Sequence, residues 1–246
     1  MIPDDRAETH DGSLSTVPED EGGFWGWPGW RHGGEACALG LLITLWFCLV
    51  YGIADHVTGL RSSRIRVHSS FELGIPFVPA AVLGYVSVFP LMWMAPFILR
   101  TRGELRAFAW MLAAVTLIAG AGFLLIPAEL AFPPQRSLGN WAELMRFVEW
   151  SNLTYNLVPS LHVTYGVACA EVYAGKARRG GRLAVRAWAG IIAVSTVLTH
   201  QHHLLDVAAG MGLGIAGGRL VSGRLTANWK FRASRGSGFT PSGEDR

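Results

Sequence analysis

Six apolar runs limit most strongly what this chain can fold into. They cover about residues 36–54, 78–99, 106–127, 159–175, 184–200 and 203–221. A helix needs about 20 apolar residues to cross a bilayer. Charged residues make up only 16% of the chain, against about 25% in a typical soluble domain. The sequence therefore predicts an all-α fold, an integral-membrane bundle of six transmembrane helices.

The two ends of the chain differ in composition from this apolar region. Residues 1–35 are polar and rich in glycine, with eight acidic residues against two arginines. Such a segment cannot bury enough apolar surface to offset the loss of chain entropy on folding. We therefore predict a disordered acidic tail over 1–35, a membrane domain over 36–222 and a basic, disordered cytoplasmic tail over 223–246.

Basic residues near the ends of the runs predict the orientation. They gather after the second, fourth and sixth runs, at Arg100, Arg102, Arg106, Lys176, Arg178, Arg179, Arg182, Arg186, Arg219, Arg224, Lys230, Arg232 and Arg235. Loops rich in Lys and Arg stay in the cytoplasm, so both termini are expected there. The first connection opposes this assignment with Arg61, Arg64 and Arg66. The expected location is the cell membrane, the inner membrane in a bacterium.

The unusual polar residues then collect on the outer side. The fourth run opens with Pro159, Ser160 and His162. Proline and serine favour a helix start, where free N–H groups form a natural anion site. His162 in the same turn can donate a proton to a bound phosphate. The alternative is a capped helix with an incidental histidine at the interface.

The junction of the fifth and sixth runs holds a second polar group. His202 and Asp206 are four residues apart, so on a helix they share one face. Asp206 can hold one ring nitrogen of His202 and leave the other free to attack an electrophile. Because ionisable side chains at the end of a membrane span are costly, they usually have a function. Two alternatives stay open, a zinc site that uses His200, His203 and this pair, or a structural polar junction.

A third signal lies in the outer loop before the fourth run. Arg136 follows two prolines there, and its planar guanidinium matches the oxygens of a phosphate. A single loop arginine is more often a solvated charge. Net charge is only +3, which gives no indication of nucleic-acid binding.

These motifs resemble the type 2 phosphatidic acid phosphatase superfamily over about residues 71–221. The second signature of that superfamily, P-S-x-H-V, is matched by Pro159, Ser160, His162 and Val163. The third signature, S-R-x5-H-x3-D-V-x2-G, is matched by Ser195, His202, Asp206, Val207 and Gly210. The two motifs occur in the right order, each at the outer end of a run.

Two departures distinguish the chain within that superfamily. The first signature, K-x6-R-P, is absent because no lysine precedes Lys176, and Thr196 replaces the arginine of the third signature. The branch of inositol phosphorylceramide synthases and their bacterial relatives resembles this chain in both respects. Motifs typical of that branch occur at residues 75–79, 133–136, 156–162 and 199–202.

The resemblance implies a mechanism as well as a fold. His202 would be the nucleophile, Asp206 would orient it, and His162 would protonate the leaving oxygen. Ser160, Arg136 and His200 would hold the phosphate, without metal or cofactor. The expected function is a lipid phosphate or diphosphate phosphatase working among membrane lipids. The alternatives are a phosphotransferase that passes a phospho-headgroup to a lipid alcohol, or a non-catalytic transporter or scaffold. Which lipid is bound, and the oligomeric state, stay open.

Overall fold

A computed structural model describes residues 25–133 and 138–236, with side chains described as far as Arg224. Regular structure in these ranges is helical, apart from a single bridge that pairs Ile65 with Ala128. The helices are α1 (Trp30–Gly59), α2 (Val82–Val86), α3 (Val88–Trp93), α4 (Ala95–Ile98), α5 (Arg102–Leu125), α6 (Ala142–Ser151), α7 (Leu161–Ala174), α8 (Arg179–Leu198) and α9 (Leu204–Gly236). Short 3₁₀ helices cover Ser70–Gly74, Pro79–Ala81 and Gly139–Trp141. The predicted all-α class is confirmed.

Four of the described helices are long and apolar enough to cross a membrane: α1, α5, α8 and the Leu204–Arg224 part of α9. The predicted count of six is not confirmed. The second predicted span consists of the short helices α2, α3 and α4, and the fourth is α7, with only 14 residues. Pro90 and Pro96 each remove a backbone donor, and the helix breaks within one turn before each of them, at Ser87 and Met94.

Helix α7 forms the centre of the bundle. Twelve of its fourteen residues are buried, and it packs against α8 and α9, with α3 and α5 also in contact. The helix begins later than predicted, because Pro159 precedes the capping residue Ser160 and lies outside the first turn. A central helix enclosed on most sides lets short polar segments at its start stay away from lipid.

Small residues bring α7 and α9 into unusually close contact. Gly210, Gly214 and Gly218 recur every fourth residue along α9 and face α7. A Cβ atom would lie 2.6 Å from the carbonyl oxygen of Ser160 at the first of these glycines, and 2.7 Å from that of Thr164 at the second. Such stripes let helix backbones approach closely where lipid gives no hydrophobic drive for association.

Ion pairs mark the end of the bundle at which α7 ends. They join Glu35 to Arg102 and Arg106, Glu104 to Lys176, and Glu171 to Arg186 and Arg219. The starts of α1, α5 and α8 therefore share one end with the end of α7. The starts of α7 and α9 and the ends of α1 and α8 share the other end.

Helices α1 and α9 both extend into the segments predicted as tails. Helix α1 begins at Trp30 because its first turns have partners: Nε2 of His32 lies 2.7 Å from the carbonyl oxygen of Leu99, and Glu35 pairs with α5. Helix α9 continues to Gly236. Residues 25–29 of the predicted N-terminal tail precede α1 without regular structure, and residues 1–24 and 237–246 lie outside the described residues.

The glycine contact predicts a position-dependent loss of stability. Gly214→Val should push α9 away from α7 and destabilise the fold by about 1–3 kcal/mol, as overpacking usually does. Gly212→Val is the matched control, because a Cβ there meets no atom within 4 Å. Thermal unfolding of both variants in detergent would measure the difference. Equal melting temperatures would contradict the packing described here.

Candidate active site

The pair of His202 and Asp206 forms at the start of α9. His202 lies in the turn before the helix, and its Nδ1 is 3.3 Å from Oδ2 of Asp206. The backbone N–H of His203 donates to the same oxygen at 2.8 Å. The contact is therefore made by a carboxylate that reaches back over the helix start. The expectation that the pair lies along one helix face is wrong, because α9 begins only at Leu204.

The end of α8 fixes the turn that carries His202. The carbonyl oxygen of Thr196 accepts the N–H groups of Gln201 and His202, at 3.0 and 3.2 Å. His200, which lies between Thr196 and Gln201 in the sequence, has a φ of 55°. This is a left-handed conformation, which the tight turn requires. Thr196, which replaces the arginine of the third signature, is fully buried, and its hydroxyl donates to Ala193 in its own helix.

A second layer of polar groups supports this turn from behind. Glu72 is almost fully buried, and its two carboxylate oxygens accept the N–H groups of Ser69 and Leu204, each at 2.9 Å. Nδ1 of His203 lies 3.3 Å from Oε2 of Glu72. Nε2 of the same ring accepts the N–H of Ala131 at 3.1 Å. Glu72 thus ties the loop before α2 to the start of α9.

The charges of this layer follow from its contacts. Burial raises the pKa of Glu72, but the two N–H donors and His203 outweigh it, and the net pKa is lowered. Burial lowers the pKa of His203, and the nearby carboxylates of Asp206 and Glu72 only partly oppose it. An ionised Glu72 and a neutral His203 agree with the hydrogen bond from Ala131. Both lowered pKa values mean that the unfolded chain binds more protons, so acid weakens this layer.

His162 stands at the start of α7 with a hydrogen-bonded chain behind it. The hydroxyl of Tyr85 lies 3.0 Å from Nδ1 of His162. Nδ2 of Asn152 donates to that hydroxyl at 2.7 Å and to Oε1 of Gln201 at 2.8 Å. Because the hydroxyl accepts from Asn152, its own hydrogen is available to Nδ1. The chain ends at Gln201, next to His202.

Two cavities meet at His202. One, which we term the polar cavity, has a volume of about 290 Å³, and nine of its sixteen lining residues are polar, among them His200, Gln201 and Glu149. The other, which we term the apolar cavity, has a volume of about 280 Å³. Most of its lining residues are apolar, and His162 also lines it. His202, Asn152, Asn156 and Tyr51 line both. A ligand with a polar head and an apolar chain fits such a junction.

The other predicted phosphate ligands have different surroundings. Ser160 is fully buried, and its hydroxyl caps α7 by accepting the N–H of Val163. His200 lines the polar cavity, with Nε2 3.0 Å from the carbonyl oxygen of Ile75 and its ring stacked on Phe132. Arg136 lies outside the described residues.

The histidines do not form a metal site within the part of the chain that the structure describes. No group of three or more His, Cys, Asp or Glu side chains is arranged there to hold a metal ion. The zinc alternative therefore has no ligand set among these residues. His202 is directed to Asp206, and His203 to Glu72 and Ala131.

Comparison with known families identifies the domain that contains these residues. The sequence model of the PAP2 superfamily, that of the type 2 phosphatidic acid phosphatases, matches residues 77–220, more than half of the 246-residue chain. The chain belongs to the PAP2 superfamily. The PAP2 region includes His162, His202 and Asp206, whereas Glu72 lies just before it. No curated protein and no solved structure matched the chain, and the synthase-like branch is not confirmed.

The PAP2 domain also contains residues that the motifs did not indicate. Tyr85 is part of an apolar run, and a single tyrosine there carries no signal. Asn152 lies in the predicted outer loop before the fourth run, and Gln201 lies between the fifth and sixth runs, and neither position by itself indicates a role. Glu72 is an acidic residue within an apolar stretch, and that contrast could have identified it. Membership of PAP2 and four long apolar helices identify a membrane protein of a phosphatase-type enzyme family.

Proposed function

We propose that this PAP2 protein is an integral-membrane phosphatase for lipid phosphates or diphosphates that works through a phosphohistidine on the extracytoplasmic face. The observation that carries the proposal is the position of His202. Its Nδ1 faces the buried carboxylate of Asp206, and the ring lines both a polar and an apolar cavity. A lipid phosphate has the matching combination of head and chain.

The first step is attack by Nε2 of His202 on phosphorus. Asp206 accepts the hydrogen on Nδ1, which leaves the lone pair on Nε2. The N–P bond forms while the bond from phosphorus to the lipid oxygen breaks. His162 gives its proton to that oxygen, and the lipid leaves as an alcohol, or as a monophosphate when the substrate is a diphosphate.

The second step reverses the role of His162. The ring, now neutral, takes a proton from water as the water oxygen attacks phosphorus. The N–P bond breaks, and inorganic phosphate is released. The Tyr85 hydroxyl can serve both forms of His162, because it can donate to a neutral Nδ1 and can accept from a protonated one.

The phosphate oxygens would be held by the start of α7, by His200 and by Arg136. Free N–H groups at a helix start attract an anion, and Ser160 shapes that start by capping it. Arg136 follows Phe132, whose ring stacks on His200 and His203. This contact holds the described part of the loop, as far as Pro133, beside the polar cavity. The assignment of Arg136 to the phosphate rests on its guanidinium and its place in the sequence alone.

Six membrane passes complete the proposal. The consecutive short helices between Pro79 and Ile98 would form one further pass, and the buried α7 another, in addition to the four long helices. The ion-paired end carries most of the arginines and lysines, so it would face the cytoplasm with both termini. The end with His202 would then face outwards.

Release of phosphate from labelled lipid phosphates tests the proposal. Wild-type protein in detergent should release phosphate from phosphatidic acid, polyprenyl diphosphates or sphingoid phosphates, whereas His202→Ala and His162→Ala should lose at least a hundredfold in rate. His56→Ala is the matched control, since His56 is exposed on α1. Unchanged rates in both site variants would exclude this mechanism. Absence of phosphate release by the wild type on all of these substrates would favour a non-catalytic transporter or scaffold.

A phosphotransferase is the second candidate, favoured by the two cavities that meet at His202. One could hold the donor and the other an acceptor alcohol, which would attack the phosphohistidine in place of water. Adding acceptor lipids to the same assay separates the two reactions. Phosphate release that acceptors leave unchanged excludes transfer, and a labelled acceptor product excludes simple hydrolysis.

The hydrogen bond from the Tyr85 hydroxyl to His162 gives a further prediction for hydrolysis. Tyr85→Phe removes the hydroxyl at Nδ1 and should lower kcat/KM for an alkyl phosphate by about tenfold, the size of one lost charge-assisted hydrogen bond. An aryl phosphate has a good leaving group that needs little protonation, so its kcat/KM should hardly change.

Tyr173→Phe is the matched control for that variant. It removes another buried hydroxyl, which donates to the carbonyl oxygen of Leu91 within the bundle. Both substrates should respond alike to this change. An equal loss for alkyl and aryl phosphates in Tyr85→Phe would show that Tyr85 acts only through the fold.

A further inference from the structure

The apolar cavity at His162 continues into a third, larger cavity. This third cavity has a volume of about 590 Å³ and lies between α1, α4 and α5. The two cavities share Ile43, Thr44, Met92 and Trp93 in their walls. They therefore adjoin along a single groove, which we term the α1 groove. It is open beside α1, because that helix packs mainly against α5.

One face of α1 forms a wall of the groove along its length. From the ion-paired end to His202, the lining residues on this face are Gly33, Ala36, Cys37, Gly40, Ile43, Thr44, Phe47, Cys48 and Tyr51. They recur at intervals of three or four residues, as one helix face requires. The only hydroxyl midway is satisfied within the helix, because Thr44 donates to the carbonyl oxygen of Gly40. The wall is thus apolar up to Tyr51.

The length of the groove is set by α1. Eighteen residues separate Gly33 from Tyr51, which corresponds to about 27 Å at 1.5 Å per residue. The hydrocarbon core of a bilayer is roughly 30 Å thick. The groove therefore runs through most of the membrane and past the middle, where the chain of an ordinary leaflet lipid would end.

Among the described lining residues, polar side chains concentrate where the groove meets the candidate active site. Asn156 lines both cavities at His202 and is almost fully buried. Its Nδ2 donates to the carbonyl oxygen of Tyr51, and its Oδ1 has no hydrogen-bond partner among the described residues. An acceptor without a donor at this junction fits a hydroxyl or protonated phosphate oxygen. The groove thus has one polar end, at His202, and one apolar end.

We infer that the α1 groove binds the hydrocarbon chain of the substrate and selects lipid phosphates whose chain is longer than one leaflet. This inference rests on the proposed function, because the phosphate at His202 fixes one end of the chain. Burial of each further methylene group strengthens binding. Because the groove continues past the bilayer middle, the gain continues for chains that an ordinary leaflet cannot hold in full.

Filling the groove halfway tests the inference. A Cβ at Gly40 meets no atom within 4 Å, so Gly40→Phe places a ring in open space without a clash in the helix. With the phosphate at His202, the chain of octyl phosphate would end before it reaches Gly40, whereas the chain of tetracosyl phosphate would extend past Gly40. The ratio of kcat/KM for tetracosyl over octyl phosphate should fall roughly tenfold, as expected when about two methylene groups lose their contacts.

Gly34→Phe is the matched control for the chain-length assay. Gly34 lies on the same helix, and a Cβ there also meets no atom within 4 Å, but it does not line the groove. Its ratio should equal that of the wild type. Equal ratios in Gly40→Phe and Gly34→Phe would overturn the inference, while phosphate release from octyl phosphate would still support the proposed function.

A labelling experiment gives a result that does not depend on turnover. In the His202→Ala variant, which should not hydrolyse the probe, tetracosyl phosphate with a diazirine at the end of its chain should label the α1 peptide around Gly33–Gly40 on illumination. Excess unlabelled tetracosyl phosphate should prevent the labelling, and tetracosanol should compete poorly because it lacks the phosphate. Labelling spread over the lipid-facing side of α1, or equal competition by the alcohol, would show that the groove holds bulk lipid and no substrate chain.

Discussion

The arrangement of the candidate active site depends on one buried carboxylate. Asp206 has no exposed surface, yet its Oδ2 receives both the His203 N–H and Nδ1 of His202. A buried charge is costly unless hydrogen bonds and dipoles compensate it. Here the start of α9 supplies the positive end of a helix dipole. The same carboxylate oxygen also fixes the ring of His202. Asp206 therefore both stabilises the start of α9 and orients the histidine.

That carboxylate is in place only because α9 lies very close to α7. The Ser160 N–H donates to the carbonyl oxygen of Asp206 at 3.0 Å, and Gly210 one turn later leaves no room for a side chain. His162, two residues after Ser160, is thereby brought to the cavity that His202 lines. The glycine stripe therefore positions the two histidines relative to each other, although it contacts neither of them.

Much of this could be predicted from the sequence, for reasons that particular residues show. His162, His202 and Asp206 lie at the ends of apolar runs, where polar residues are rare enough to be informative. The all-α class followed from run length, but the second apolar run forms short helices that break before Pro90 and Pro96, and hydropathy did not indicate that. Tyr85 contacts His162, which lies 77 residues further along the sequence, and no local pattern encodes such a contact. Glu72 is conspicuous in the sequence as an acidic residue in an apolar stretch, but its hydrogen bond to the start of α9, 132 residues away, appeared only in three dimensions.

The central claim is that phosphate passes through His202. The most direct test is to mix the protein with a lipid phosphate labelled at phosphorus, stop the reaction in alkali within milliseconds, and map the label by peptide. A phosphoramidate is stable in alkali and labile in acid, and its label should lie on the peptide that contains His202, with none in His202→Ala. Rapid phosphate release without such a species, or a label bound to another residue, would contradict the account.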